Sequence, residues 1–174
     1  MDRLWSPWRY QYVSREAPTE CIFCQKAAER QDPQNYVLCR ARHNFILLNL
    51  YPYTTGHLMI APYQHVASLG EADPAALDEM MRLTRLAESS LRAAYRPRGL
   101  NIGMNIGECA GAGVAGHIHM HVLPRWPADA SFLTTIGETR VLPEDLPTTY
   151  RRLHEAFRRE AERAGLGLSF PALP

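Results

Sequence analysis

The sequence predicts an α+β domain in which helices pack on one face of an antiparallel sheet. Three observations predict it. Short β-prone runs occur in close groups separated by turn residues. A single long amphipathic segment lies between the third run and the fourth. The last run alternates imidazole and apolar side chains, which is the period of a strand.

The elements follow in order. The opening stretch to about residue 33 reads as irregular, with Pro7, Pro18 and Pro33 and two tryptophans. Tyr36–Arg40 and Phe45–Asn49 are β-prone and close enough to form a hairpin. A turn through Tyr51–Gly56 leads to a third strand, His57–Ala61, stopped by Pro62. Asp73-Pro74 is a helix start, an N-cap followed by proline in the first helical position. Leu77, Met80, Met81, Thr84, Ala87, Leu91 and Ala94 are the expected inner face, and Pro97 and Gly99 end the helix. Leu100–Ile106 and His117–Leu123 are the fourth and fifth strands. A closing helix runs from about Thr148 to Ala164, with Tyr150, Leu153, Phe157 and Ala161 inward and Gly165 as its cap. The expected organisation is an N-terminal segment over 1–34, a core over 35–126 and a C-terminal extension over 127–174.

Composition narrows the function. The chain has 174 residues, enough for one domain with a real core, and its 46% hydrophobic and 21% charged residues are ordinary for a globular protein. A net charge of +1 without a basic block argues against a nucleic-acid partner. No apolar run is long enough to span a bilayer, and the first residues lack the layout of a secretory signal, so a cytoplasmic location without membrane contact is expected. In that reducing setting the Cys21-x-x-Cys24 pair reads as half a metal site or a redox pair. Cys39 is expected in the core, and Cys109 is an oxidation liability if exposed.

The chemistry concentrates in Gly111–Trp126, which holds three of the seven histidines at alternate positions. On a strand His117, His119 and His121 share one face, roughly 6.6 Å apart, while Ile118, Met120 and Val122 take the other. Buried imidazoles need partners on both ring nitrogens, so leucine would serve a structural role better. The preceding Asn105–Gly113 stretch is glycine-rich, and glycine lets backbone N–H groups approach an anion closely. An anion held against an imidazole suits nucleophilic phosphoryl chemistry, because neutral imidazole attacks well near neutral pH. A rival is a metal held by His-x-His. His43 and His154 have no spacing argument and read as surface residues. The charges of the closing helix read as a solvated face, and Arg125 and Trp126 as possible neighbours of a ligand.

His117-Ile-His-Met-His-Val-Leu123 resembles the signature of the histidine-triad (HIT) superfamily. Asn49–Pro62 and Asn101–Gly107 resemble it too, in the same order. Leu4-Trp-Ser-Pro-Trp-Arg9 and Pro124-Arg-Trp126 resemble the branch that includes bacterial diadenosine tetraphosphate (Ap4A) phosphorylases.

The resemblance implies a five-stranded antiparallel sheet with a long helix on it. It implies nucleotidyl hydrolase or transferase activity on substrates such as Ap4A. His119 would be the nucleophile that takes a nucleoside monophosphate from the α-phosphate, and water or phosphate would resolve that intermediate. His121 and His57 would hold and polarise the phosphate, Asn49 the ribose hydroxyls, and Ile22, Phe23 and Leu50 the base. Asn105 and the backbone of Gly111 and Gly113 would meet the phosphates. It implies a structural zinc on Cys21, Cys24, His65 and His117, and a homodimer built through the helix and a sheet edge. One departure is that Gly113 and Val114 stand where many members carry glutamine and serine. That weakens a transfer of phosphoramidase activity and fits the phosphorylase branch. Two rivals stay open: a non-catalytic adenine-nucleotide sensor, and a metal hydrolase with His117 and His119 as ligands.

Overall fold

A computed structural model of the chain describes residues 20–127, 129, 134, 136–137 and 141–173. The tryptophan-bearing Leu4–Arg9 stretch lies outside the described residues. The elements are α1 (Ile22–Glu29), β1 (Val37–Arg40), β2 (Asn44–Leu48), β3 (Leu58–Pro62), α2 (Pro74–Tyr95), β4 (Gly99–Gly103), β5 (Met120–Arg125) and α3 (Leu146–Arg163). The five strands form one antiparallel sheet in the order β1-β2-β3-β5-β4, the α+β arrangement expected.

Alternation along the strands gives the sheet two different faces. Ile46, Leu48, Leu58, Ile60 and Val122 point toward α2 and α3, where Met80, Leu83, Ala87, Leu91, Leu153 and Phe157 complete the main core. Phe45, Leu47, Met59 and Ala61 point the other way, into a smaller cluster closed by Phe23 of α1. His121 pairs across the sheet with Met59, so the imidazoles stand on this second face, beside α1.

Both long helices carry the predicted signals. Asp73 caps α2 by accepting from Ala75 N–H at 2.9 Å, and Pro74 opens it. Tyr150, Leu153, Phe157 and Ala161 of α3 are all buried. Gly165 follows α3 at φ +64, and Leu166 N–H reaches back to Ala161 O at 3.0 Å.

Four expectations need correction. The segment before Pro33 contains α1 rather than only irregular chain. The buried arc of α2 runs through Ala76, Met80, Leu83, Thr84, Ala87 and Leu91, leaving Met81 61% exposed. It lies against both the sheet and α3, which turns the inner face away from Met81. The fourth and fifth strands are displaced from the predicted spans: Ile118 N–H bonds Val66 O outside the ladder, and regular pairing begins at Met120. His154 is 3% exposed, not a surface residue, with its Nε2–H on Pro171 O at 2.8 Å.

Candidate active site

His57 stands immediately before β3, at the end of a tight turn. Asn49 N–H donates to His57 O at 3.0 Å and His57 N–H to Thr54 O at 3.1 Å. Gly56 takes φ +80 in that turn, with Leu91, Tyr95 and Pro124 pressed against the place a Cβ would fill. The turn aims the His57 ring at His121.

The hydrogen bonds set the imidazole tautomers. Tyr53 N–H can only donate, and it points at His57 Nδ1 at 3.1 Å. The Asn49 amide nitrogen is a second donor there, at 3.3 Å. His57 therefore carries its proton on Nε2 and donates to His121 Nδ1 at 2.9 Å. His121 is left with its proton on Nε2, a donor for an oxygen placed beside it. The Tyr53 ring lies over both rings, with centroids 4.7 Å from His57 and 6.1 Å from His121.

His119 has the complementary arrangement. Its Nδ1 lies 2.9 Å from the carbonyl of His117, which only accepts, so Nδ1 holds the proton and Nε2 the lone pair. Burial is the first cause that lowers the pKa of His117, His119 and His121, and His121 falls to about 4. Burial thus favours the neutral form of all three rings. A neutral imidazole with its lone pair on Nε2 is the form that attacks phosphorus.

His117 faces away from this pair of rings. Its Nε2–H donates to Pro62 O at 2.9 Å, which turns Nδ1 toward two sulfurs. Cys21 Sγ lies 3.3 Å away and Cys24 Sγ 3.6 Å. Cys24 Sγ is also 3.4 Å from His65 Nδ1, and all four ligand atoms lie within 4.8 Å of one another. Two soft sulfurs at the start of α1, an imidazole from the segment after β3 and one from the triad are donors of the kind that can hold a metal ion.

The other predicted residues divide. Asn49 is half-buried beside His57, with its Oδ1 accepting Tyr51 N–H at 2.9 Å. Phe23 is only 1% exposed and lies behind the imidazoles, its ring centroid 4.7 Å from His119 and 5.1 Å from His117. Ile22 is half-buried and Leu50 is 42% exposed. Asn105 is half-buried at the start of the glycine-rich loop. Gly111 takes φ +85, but its N–H bonds Glu108 O at 2.9 Å inside a 3-10 turn. The loop continues as a turn through Gly113, Val114, Ala115 and Gly116, closed by His117 N–H on Val114 O at 3.3 Å. Arg125 pairs with Asp129 at 2.6 Å and with Asn101 Oδ1 at 2.6 Å. Sequence reasoning missed Tyr53 and the Pro62 carbonyl. The place of Tyr53 four residues before His57 was the one available clue, and a backbone carbonyl leaves none.

Comparison with known proteins agrees with this geometry. The family model described as HIT domain matches residues 30–128. An AP-4-A phosphorylase of Mycobacterium tuberculosis is 37% identical over 169 residues, covering 92% of this chain and 86% of that protein. The asymmetrical bis(5'-nucleosyl)-tetraphosphatase of Schizosaccharomyces pombe is 30% identical over 95 residues, covering 55% of this chain and 52% of that protein. A crystal structure of a zinc-bound histidine triad family protein from Mycobacterium smegmatis superposes with a TM-score of 0.69 at 25% identity, covering 83% of this chain and 97% of that one. The triad, its fold and these relatives agree, and the chain belongs to the HIT domain family.

Proposed function

We propose that the protein transfers a nucleoside monophosphate from the α-phosphate of a dinucleoside polyphosphate such as Ap4A to His119, and from His119 to inorganic phosphate. The observation that carries the reading is the pair of opposed tautomers, a lone pair on His119 Nε2 beside a proton on His121 Nε2. His119 Nε2 attacks the α-phosphorus, forming a P–N bond while the P–O bond to the polyphosphate breaks. The His117 carbonyl holds the Nδ1 proton as the ring becomes positive. His121, fixed by His57, donates to a phosphate oxygen. ATP leaves from Ap4A, an oxygen of phosphate then breaks the P–N bond, and ADP is released with His119 restored. The naming of the M. tuberculosis relative as an AP-4-A phosphorylase supports both substrate and acceptor.

In this reading Asn49 contacts the ribose, and Ile22 and Leu50 border the base. Asn105, Gly113 and the amides after Gly113 meet the phosphates. Zinc is the metal that two thiolates and two imidazoles suit, on Cys21, Cys24, His65 and His117. The sulfur to nitrogen separations of 3.3 and 3.6 Å from His117 compare with about 3.6 Å across an ideal tetrahedral site. When bound it supplies a cross-link between three segments. His119 stands outside this donor set, its Nδ1 on a carbonyl, which disfavours the metal-hydrolase reading. Among the described residues no helix is long and apolar enough to cross a membrane. A homodimer through β4 and α2 is supported by Ile102, 45% exposed, and Met81.

Product analysis tests the reading. Ap4A with phosphate should give ADP and ATP, and His119→Ala should lose at least about a thousandfold in rate, roughly 4 kcal/mol of barrier. AMP and ATP formed without phosphate would instead make water the acceptor. Tight binding without turnover would favour the sensor, and full activity of His119→Ala would remove the covalent mechanism.

A further inference from the structure

We propose that the metal-ligand cluster and Phe23 act together as a mount for the His119 imidazole, with Phe23 as a positioning residue, so that filling the cluster sets how fast His119 reacts. The inference rests on the reading of His119 as nucleophile.

Two arms run from the cluster to that ring. The first is His117. Its Nδ1 lies in the cluster, its Nε2–H is fixed on Pro62 O at 2.9 Å, and its own carbonyl accepts from His119 Nδ1 at 2.9 Å. The carbonyl that sets the tautomer of the nucleophile thus belongs to a residue whose side chain is held on both nitrogens. The second arm is α1. Cys21 and Cys24 flank Phe23, whose ring touches His119 and His117 while only 1% of its surface is exposed. A ring so buried offers a wall to an imidazole, not an open face to a base.

Helix α1 needs an anchor to hold that wall. It has 8 residues, and its N-cap Cys21 makes no side-chain capping bond. A helix this short is marginal by itself. Its far end is secured by Arg40, which donates to Ala27 O and Lys26 O at 3.0 Å each and pairs with Asp32 at 2.6 Å. The near end is held by Phe23 in the smaller core cluster and by the two cysteines on either side of it. The main core between the sheet, α2 and α3 contains no ligand of the cluster, so losing the metal should loosen α1 and leave the domain folded.

The test compares zinc-loaded protein, chelator-stripped protein and zinc-loaded Phe23→Leu, with zinc content and far-UV dichroism measured on each. Rapid quench with Ap4A reads formation of the nucleotidyl-histidine, and long-range proton–nitrogen spectra read the His119 ring without any substrate. The loaded protein should show one tautomer, with the proton on Nδ1. Stripping should mix the tautomers and slow the intermediate by up to about a hundredfold, the scale of a 1 Å misplacement. Phe23→Leu should retain zinc and fold, and slow the same step by about tenfold. A stripped protein that stays folded with the same His119 tautomer and the same rate overturns the proposal. A Phe23→Leu variant with raised KM and unchanged kcat overturns it too, and makes Phe23 a wall for the base. Absence of the intermediate in loaded wild-type protein would sink the reading of His119, while the spectra would still decide whether the mount exists.

Discussion

Acid should destabilise the fold through His121 in a way that a single substitution isolates. Burial, aided by the neighbouring His119, pushes this imidazole down from 6.5 to about 4. Between those limits the unfolded chain binds a proton that the native state refuses. Stability from this group is therefore complete above pH 6.5 and is lost as the pH falls toward 4. At 1.36 kcal/mol per pH unit over that interval the ceiling is about 3 kcal/mol, of which about 2 kcal/mol is gone by pH 5. Urea denaturation of wild type and His121→Gln at pH 7.5 and pH 5 measures it. Groups not coupled to His121 titrate in both proteins and cancel in the difference, leaving the pair of His121 and its neighbour His119. Wild type should lose about 2 kcal/mol more than the variant. Equal losses in the two proteins would refute the argument, because His121 would then titrate as it does in the unfolded chain.

Three further outcomes are expected. Gly56→Ala should cost about 2 kcal/mol or more, since φ is +80 and the new methyl would stand 3.2 Å from both Leu91 Cδ2 and Tyr95 Cε2; an unchanged melting temperature would contradict it. Phe157→Ala removes a ring with 0% exposure from the main core and should cost about 3–5 kcal/mol, read from the urea midpoint at unchanged slope. Asp73→Ala deletes the side-chain bond to Ala75 N–H and should cost about 1 kcal/mol, and a change within about 0.3 kcal/mol would show that the cap is replaced by water.

Much of this was legible because it is written in local patterns. Asp73-Pro74 announces α2, and the spacing of Tyr150, Leu153, Phe157 and Ala161 announces the inner face of α3. The alternation of His119, Met120, His121 and Val122 fixes which side chains enter the main core. What escaped depends on partners far along the chain. Helix α1 is short, uncapped and ended by Arg30 in the left-handed region rather than by glycine, so no boundary signal marks it. His154 is buried because the chain returns at Pro171, 17 residues later. Met81 is exposed because α3 shares the burial of α2 with the sheet, and a single-helix pattern carries no record of two neighbours. The tautomers of His57 and His119 are set by the Tyr53 N–H and the His117 carbonyl, backbone groups that every residue possesses.

The two ends of the sheet differ in what they leave open to another chain. At β1 the outward groups are already taken: Arg40 exchanges both backbone bonds with Ser169, Tyr150 Oη–H donates to Val37 O at 3.0 Å, and Val37 N–H reaches Asp32 O at 2.8 Å. At β4 no described strand pairs on the outer side. A sheet with one sealed rim and one open rim can grow only once. Two copies meeting rim to rim through β4 would use up the open edge of each, and a third would find nothing to add to. Among the described residues, the closing segment around Ser169 thus leaves β4, not β1, as the edge at which another strand could be added.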